Sequence, residues 1–294
     1  MSTSSNICIF GEVLFDCFPG GERVLGGAPF NVAWHLQALG NQPRFISRVG
    51  NDELGKIILN NMRRWGMDDT SVQLDPDHQT GRVDIEVIDN EPHYNITPDC
   101  AYDFIDVGQI SQPGDCGVLY HGSLGMRHSV AREAFESLAG NRVLSIFLDV
   151  NLRAPWWQKD EVHHWLHRAR WAKLNHEELK LMGFDTGNLE HDIASLQSLF
   201  DLDQVILTRA EKGAMVRNSK GVIHHVIPNK VKHFVDAVGA GDAFTAIYIH
   251  GLVAGWPIPK TLKIAQNFAS KVIGLRGATT NDIGFYRDFI DPSI

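Results

Sequence analysis

Cysteine is scarce in this chain: 294 residues hold four, Cys8, Cys17, Cys100 and Cys116. Their scatter lacks the paired spacing of zinc ligands, and four are too few to staple a chain of this size, so they read as reduced, mostly buried thiols. Positive charge is scarce as well. Against 35 Asp and Glu stand 27 Lys and Arg, a net charge of −8, and the pI is near 5.9. Such a balance excludes a backbone grip on nucleic acid or anionic lipid, which both need a basic surface. Long apolar runs are missing, since none approaches the roughly 20 residues that span a bilayer. Met1 to Ser5 carries no basic region and leads into only a short apolar stretch, unlike a secretory leader. The expectation is a cytoplasmic protein with a small-molecule partner. Repeats, low-complexity tracts and linker-like shifts of composition are absent too, which argues for a single domain over 1–294. With 44% hydrophobic residues the chain can bury a full core.

What is present is an alternation of short β-branched runs with amphipathic stretches of helical length, the pattern of an α/β fold with a mainly parallel sheet covered by helices. Expected core strands are Ile7 to Phe10, Arg44 to Val49, Gly117 to His121, Val143 to Val150, Ala172 to Leu174 and Gln204 to Thr208. Two stretches break the rhythm. Residues 81–97 alternate as an exposed antiparallel hairpin around Asn90-Glu-Pro92, suited to a small β-lid. Residues 213–226, turning at Asn218 to Gly221, form a second hairpin expected to extend the sheet edge.

Chemistry concentrates in three places. In Asp236-Ala-Val-Gly-Ala-Gly-Asp242 a glycine-rich entrance precedes an apolar helical stretch. Gly239 and Gly241 let backbone N–H groups converge at a helix start, where the dipole favours a phosphate, and Asp242 stands beside that anion site as an acceptor for a hydroxyl proton. One Gly-Asp pair alone reads first as an acid that merely favours a helix N-terminus; the whole run is harder to dismiss. A second cluster, Gly26-Gly-Ala-Pro-Phe-Asn31, opens the helical stretch Val32 to Leu39, and Asp16 is placed in the loop after the first strand. Asp16 and Asn31 supply the acceptor and the mixed donor–acceptor that sugar hydroxyls need; a tight turn with a helix cap is the other reading. At Asn175-His-Glu-Glu178 two oxygen ligands three residues apart suit hydrated magnesium, but they also spell a capping box.

Two superficially suggestive features fail: Gly50 to Lys56 has P-loop spacing, but Ile57 replaces the required hydroxyl residue, and His176-Glu177 lacks the second zinc ligand, Lys180 standing in its place. A Rossmann dehydrogenase is argued against by the lack of Gly-x-Gly-x-x-Gly after the first strand. The fourteen histidines, His163, His164 and His167 among them, show no ligand pattern.

Taken in order, these segments resemble the ribokinase-like (pfkB) carbohydrate kinases from about Cys8 to Thr280, with Gly26 to Asn31 similar to the first motif and Asp236 to Asp242 to the second, where Ala237 replaces Thr. The resemblance implies a three-layer α/β/α sandwich with a small β-lid, ATP and magnesium as cosubstrates, and homodimers joined through the lids. It puts Asp16, Gly27 and Asn31 on the sugar, Asp242 as the base, and Gly239, Ala240 and Gly241 at the anion hole. It puts Asn175 and Glu178 at magnesium and phosphate, and Thr208, Gly213 and Asn267 on the nucleotide. The usual Thr-x-Gly-x-x-Gly departs here at Ala210, and Asp236 with Gly277 matches a potassium site whose neighbour Ala237 is unusual. Gly11 to Asp16 and Asp149-Val-Asn-Leu-Arg153 are most similar to fructokinases. Ketodeoxygluconate kinases share the Asp-x-Asn-x-Arg pattern, in which Arg153 would face a carboxylate; a purely structural ion pair is a further reading of this Arg.

Overall fold

The runs that are apolar at every position become strands buried on both faces, and the amphipathic stretches lie over them. The computed structural model describes residues 7–88, 91–110, 116–140, 144–228 and 234–290. Its strands are β1 (Ile7–Phe10), β2 (Leu14–Cys17), β3 (Arg23–Gly26), β4 (Arg44–Gly50), β5 (Val72–Asp75), β6 (Gly81–Ile88), β7 (Glu91–Ile96), β8 (Val118–Gly122), β9 (Ser145–Asp149), β10 (Trp171–Asn175), β11 (Gln204–Thr208), β12 (Ala214–Arg217) and β13 (Ile223–Val226). Its helices are α1 (Ala28–Ala38), α2 (Glu53–Arg64), α3 (Ser129–Gly140), α4 (Lys159–Arg168), α5 (His176–Leu181), α6 (Leu189–Phe200), α7 (Ala240–Val253), α8 (Ile258–Val272) and α9 (Ile283–Ile290). None of these helices is long and apolar enough to cross a membrane.

The large sheet has the order β13-β12-β11-β10-β9-β8-β1-β4-β5. Every pairing from β11 to β5 is parallel, and the hairpin β12–β13 adds antiparallel strands at one edge. Neighbouring residues of one strand point to opposite layers. Ile7 and Ile9 face α1, α7 and α8, whereas Cys8 and Phe10 face α3, α4 and α6. The two apolar clusters so divided are the halves of an α/β/α sandwich.

A second sheet, β3-β2-β6-β7, is built partly from the expected hairpin, whose turn at Asn90 lies outside the described residues, as does Val143. Its other half was not expected. Leu14 to Cys17 pairs in parallel with β6, in register Leu14 with Gly81, and antiparallel with β3. Asp16 is therefore a strand residue of the small sheet and not a loop residue, a correction that follows from this non-local pairing. Leu14, Val83, Ile85 and Ile96 cluster with Leu124 and, at the margin, Trp156. The chain turns from β1 toward β4 on one side and reaches β8 on the other, so a crevice opens at the carboxyl ends of these strands, the usual ligand position in open α/β sheets.

Candidate functional site

The strand ends at this crevice deliver the candidate residues. Helix α1 starts earlier than its apolar spacing suggests, at Ala28, with Gly27 as N-cap at φ 104°. A Cβ on Gly27 would lie 2.8 Å from the Glu12 carbonyl oxygen, so only glycine lets the chain pass the segment after β1 here. One turn later Asn31, buried, donates from Nδ2 to Asp242 Oδ2 at 2.8 Å, while its own Oδ1 has no partner. Residues 211 positions apart thus meet at the start of α7. Asp242 lies in the first turn of that helix, whose N-cap, Gly239, has φ 77°. The N–H groups of a first turn lack intrahelical acceptors, and together with the dipole they suit an anion. Ala240 N–H makes only a long 3.3 Å bond to Ala237 O.

Burial pushes the Asp242 carboxyl up; the Asn31 hydrogen bond opposes this, Asp149 adds to it, and Lys173 and Arg153 oppose it. Asp16 on β2 is pushed up to about 6 by burial, against the pull of Arg153 and with a further push from Asp236. Arg153 is exposed, donates to its neighbour's carbonyl, Leu152 O, at 3.2 Å, and makes no ion pair among the described residues.

At the end of β10, Asn175 and Glu178 do form the capping box. Asn175 Oδ1 accepts from Glu178 N–H at 2.9 Å, and Glu178 Oε2 accepts from Asn175 N–H at 2.8 Å. Glu178 Oε1 also accepts from Leu152 N–H at 2.9 Å, which ties β10 to the loop carrying Arg153. Among the described residues no group of three His, Cys, Asp or Glu could hold an ion. A divalent cation here would therefore lean on one or two protein oxygens and otherwise on water and phosphate, which fits magnesium.

Thr208, at the end of β11, stands opposite Asn175 in register. Gly213, at φ 80°, approaches Val226 O so closely that a Cβ would lie 1.9 Å from it. Between them Ala210 takes φ 47°, the left-handed region where the family pattern has glycine. The chain keeps that backbone bend without the residue that makes it easy. Asn267 is half-buried on α8, which packs beside β12 and β13. The stretch before α7 runs along the loop after α8: Val235 N–H donates to Ile273 O at 2.9 Å, and Asp236 N–H to the same oxygen at 3.2 Å. Asp236 and Gly277 thus belong to adjoining segments.

Sequence reasoning missed Glu12, Asp149, Lys173 and Thr245 as parts of this site. The available signal was charge inside apolar strands, since a Lys in Trp171 to Leu174 and an acid closing Ser145 to Asp149 are buried only when paired. Glu12 is 2% exposed, its Oε2 has no partner, and burial raises its carboxyl to about 7, with Arg153 and Arg127 pulling it back and Asp242 pushing further. A group raised from 4.5 to about 7 contributes stability that is full below the unfolded value and lost as pH rises through the folded one. Glu12→Gln removes this penalty. Relative to the parent, the variant should gain up to about 3 kcal/mol between pH 5 and pH 8 in urea unfolding; a stability difference independent of pH would contradict the buried, proton-linked carboxyl.

The sequence profile of the pfkB family carbohydrate kinases matches residues 15–283. A fructokinase of Escherichia coli is 26% identical over 298 residues, covering 94% of this chain and 96% of the relative. A 5-dehydro-2-deoxygluconokinase of Geobacillus thermodenitrificans is 28% identical over 277 residues, covering 85% and 79%. Among solved structures, a fructokinase from Xylella fastidiosa with bound ATP superposes with a TM-score of 0.84 at 19% identity, over 97% of this chain and 99% of that one. The fold is ribokinase-like, and the chain belongs to the pfkB family of carbohydrate kinases.

Proposed function

We propose that this sugar kinase transfers the γ-phosphoryl group of ATP to a primary hydroxyl of a furanose sugar, with fructose giving fructose 6-phosphate as the leading reaction. The observation that carries it is the 2.8 Å hydrogen bond from Asn31 to Asp242 at the start of α7. It joins the residue suited to sugar hydroxyls to the carboxylate suited to deprotonating one, beside an anion site for the phosphoryl oxygens. Asp242 takes the proton as the hydroxyl oxygen attacks phosphorus, and the Gly239-Ala240-Gly241 backbone holds the developing charge. Magnesium, when bound, neutralises phosphate charge; Asn175 and Glu178 would order the waters around it. Asp16, Gly27, Asn31 and Arg153 would hold the sugar, and Thr208, Gly213 and Asn267 the nucleotide. The adjoining segments at Asp236 and Gly277 suit a potassium ion. The chain acts as one kinase domain in the cytoplasm. Its small sheet serves as a lid that excludes water during transfer and joins two copies as a homodimer.

A fructokinase relative covering nearly the whole chain supports fructose. Arg153 favours a second reading, because an exposed guanidinium without an ion-pair partner among the described residues suits the carboxylate of a keto-deoxy sugar acid. Ribose is a third candidate acceptor, and a regulator that binds sugar without turnover is the alternative of another class. ADP release measured over fructose, ribose, 2-keto-3-deoxygluconate and 5-dehydro-2-deoxygluconate decides among them. We expect kcat/KM for fructose to exceed the others by at least about tenfold, a discrimination of roughly 1.4 kcal/mol. A preference for an acid overturns fructose, and no ADP release with any sugar overturns kinase activity.

A further inference from the structure

Beneath the start of α7 lies a charged pair that the proposed chemistry leaves unused. Lys173, in β10, is 6% exposed, and Asp149, its register partner in β9, is 1% exposed. Lys173 Nζ donates to both carboxylate oxygens, at 2.9 and 2.7 Å. The Thr245 hydroxyl, fully buried one turn into α7, lies 2.9 Å from Asp149 Oδ2 and 2.9 Å from Gly241 O. A Cβ built on Gly241 would stand 3.6 Å from Lys173 Nζ, so the ammonium sits directly under the anion site's backbone. Residues buried this deeply cost several kcal/mol to desolvate, and a pair of apolar residues would fill the same space at no such cost.

We propose that Asp149, Lys173 and Thr245 are positioning residues: they anchor the first turn of α7 to the sheet and fix one positive and one negative charge beneath Asp242 and Glu178. Thr245 carries the mechanical link, because it touches both the pair and the Gly241 carbonyl. Lys173 carries the electrical one. It lies two residues before Asn175 on the same strand, and its charge acts on Asp242 and on Glu178 with the sign opposite to that of Asp149. The other groups facing Asp242 are Asn31 from α1, Arg153 from the loop after β9, Glu12 from the segment after β1 and the buried Tyr120 hydroxyl from β8. They come from different elements, so the pair's contribution is separable from theirs by substitution.

The inference rests on Asp242 being the base, and its test reads Asp242 directly. The Asp242 carboxyl is titrated by carbon-13 NMR in the enzyme free of sugar and nucleotide, its signal assigned by loss in Asp242→Asn. Lys173→Met should move the midpoint up and Asp149→Asn should move it down, with the acid limb of kcat shifting in the same two directions. Thr245→Val, of matching shape, should lower kcat about tenfold through the displaced helix start while KM for sugar stays within twofold. Should either single charge variant fail to fold, Asp149→Asn combined with Lys173→Met buries no net charge. It should stay folded with kcat reduced about tenfold or more. Midpoints that move together or not at all, Thr245→Val with parental kcat, or a double variant with parental kcat each overturn the proposal. An intact signed titration with no turnover in any variant, parent included, would instead overturn the kinase reading alone.

Discussion

Asp242→Asn is expected to lower kcat about 10³-fold, within the range of roughly 10²–10⁴ that a positioned general base contributes. The substitution is informative because it keeps the site's shape. The asparagine carbonyl oxygen still accepts from Asn31 Nδ2, whereas alanine would strand that buried donor. Stability should not suffer. The Asp242 carboxyl is raised in the folded chain, chiefly by burial, so its favourable contribution is present at low pH and lost as pH rises through the folded value. At pH 8 the amide removes a penalty instead of a support. Activity has the opposite dependence. A base works ionised, so the parent's turnover should fall as pH drops through the raised value, and the residual turnover of Asp242→Asn should lack that limb. Nucleotide affinity, measured by calorimetry with ADP, should change less than threefold. Turnover within tenfold of the parent would remove Asp242 from the chemistry.

That such a variant can be chosen from sequence reflects where the chain's constraints are local. The core strands were legible because Ile7 to Phe10 and Gln204 to Thr208 are continuous apolar runs, and a strand covered on both faces has no other pattern available. Strands β2 and β3 were not legible. Each has four residues, one carries Asp16 and the other ends in Gly26, and neither alternates long enough to signal a strand. They exist because β6, some 65 residues on, offers an edge, and no local window contains that information. Strand β5, equally short, was hidden for the same reason. The N-terminal turn of α1 escaped because Ala28 and Pro29 carry little helical periodicity, although proline at a first turn is a legitimate start.

The site divides along the same line. Glycines at 27 and 239 announce themselves in sequence, since each is required by a positive φ and a close backbone approach. The partners of buried charges do not. Glu12, Asp149 and Lys173 sit on three different strands or their ends, and only the sheet order β10-β9-β8-β1 brings them under one crevice. Ala210 gives a third case: the departure was visible in sequence, but that its backbone keeps the left-handed bend at φ 47° was not.

Gly239→Ala tests how sharply the anion site depends on that close approach. At φ 77° an L-residue costs about 1–2 kcal/mol. The added Cβ would also lie 2.3 Å from Ala278 Cβ and 2.5 Å from Ala278 Cα. No rotamer relieves a clash between a Cβ and backbone, so the start of α7 and the loop at 277–278 must separate. A misplacement of about 1 Å costs on the order of 10²-fold in rate when reacting groups are held in line. We therefore expect kcat/KM for sugar to fall about 100-fold and the melting temperature to drop by several degrees, roughly 2–4 °C for each kcal/mol in a chain of this size. Gly255→Ala separates the two causes. Gly255 follows α7 at φ 67° with nothing within 4 Å of its would-be Cβ, so alanine there adds strain without a clash. It should lose about 1 kcal/mol and keep parental kcat/KM. If Gly239→Ala proves as active as Gly255→Ala, the contact between the Gly239 backbone and Ala278 does not set the geometry of the proposed transfer, and the first turn of α7 is held by the helix and its buried anchors alone.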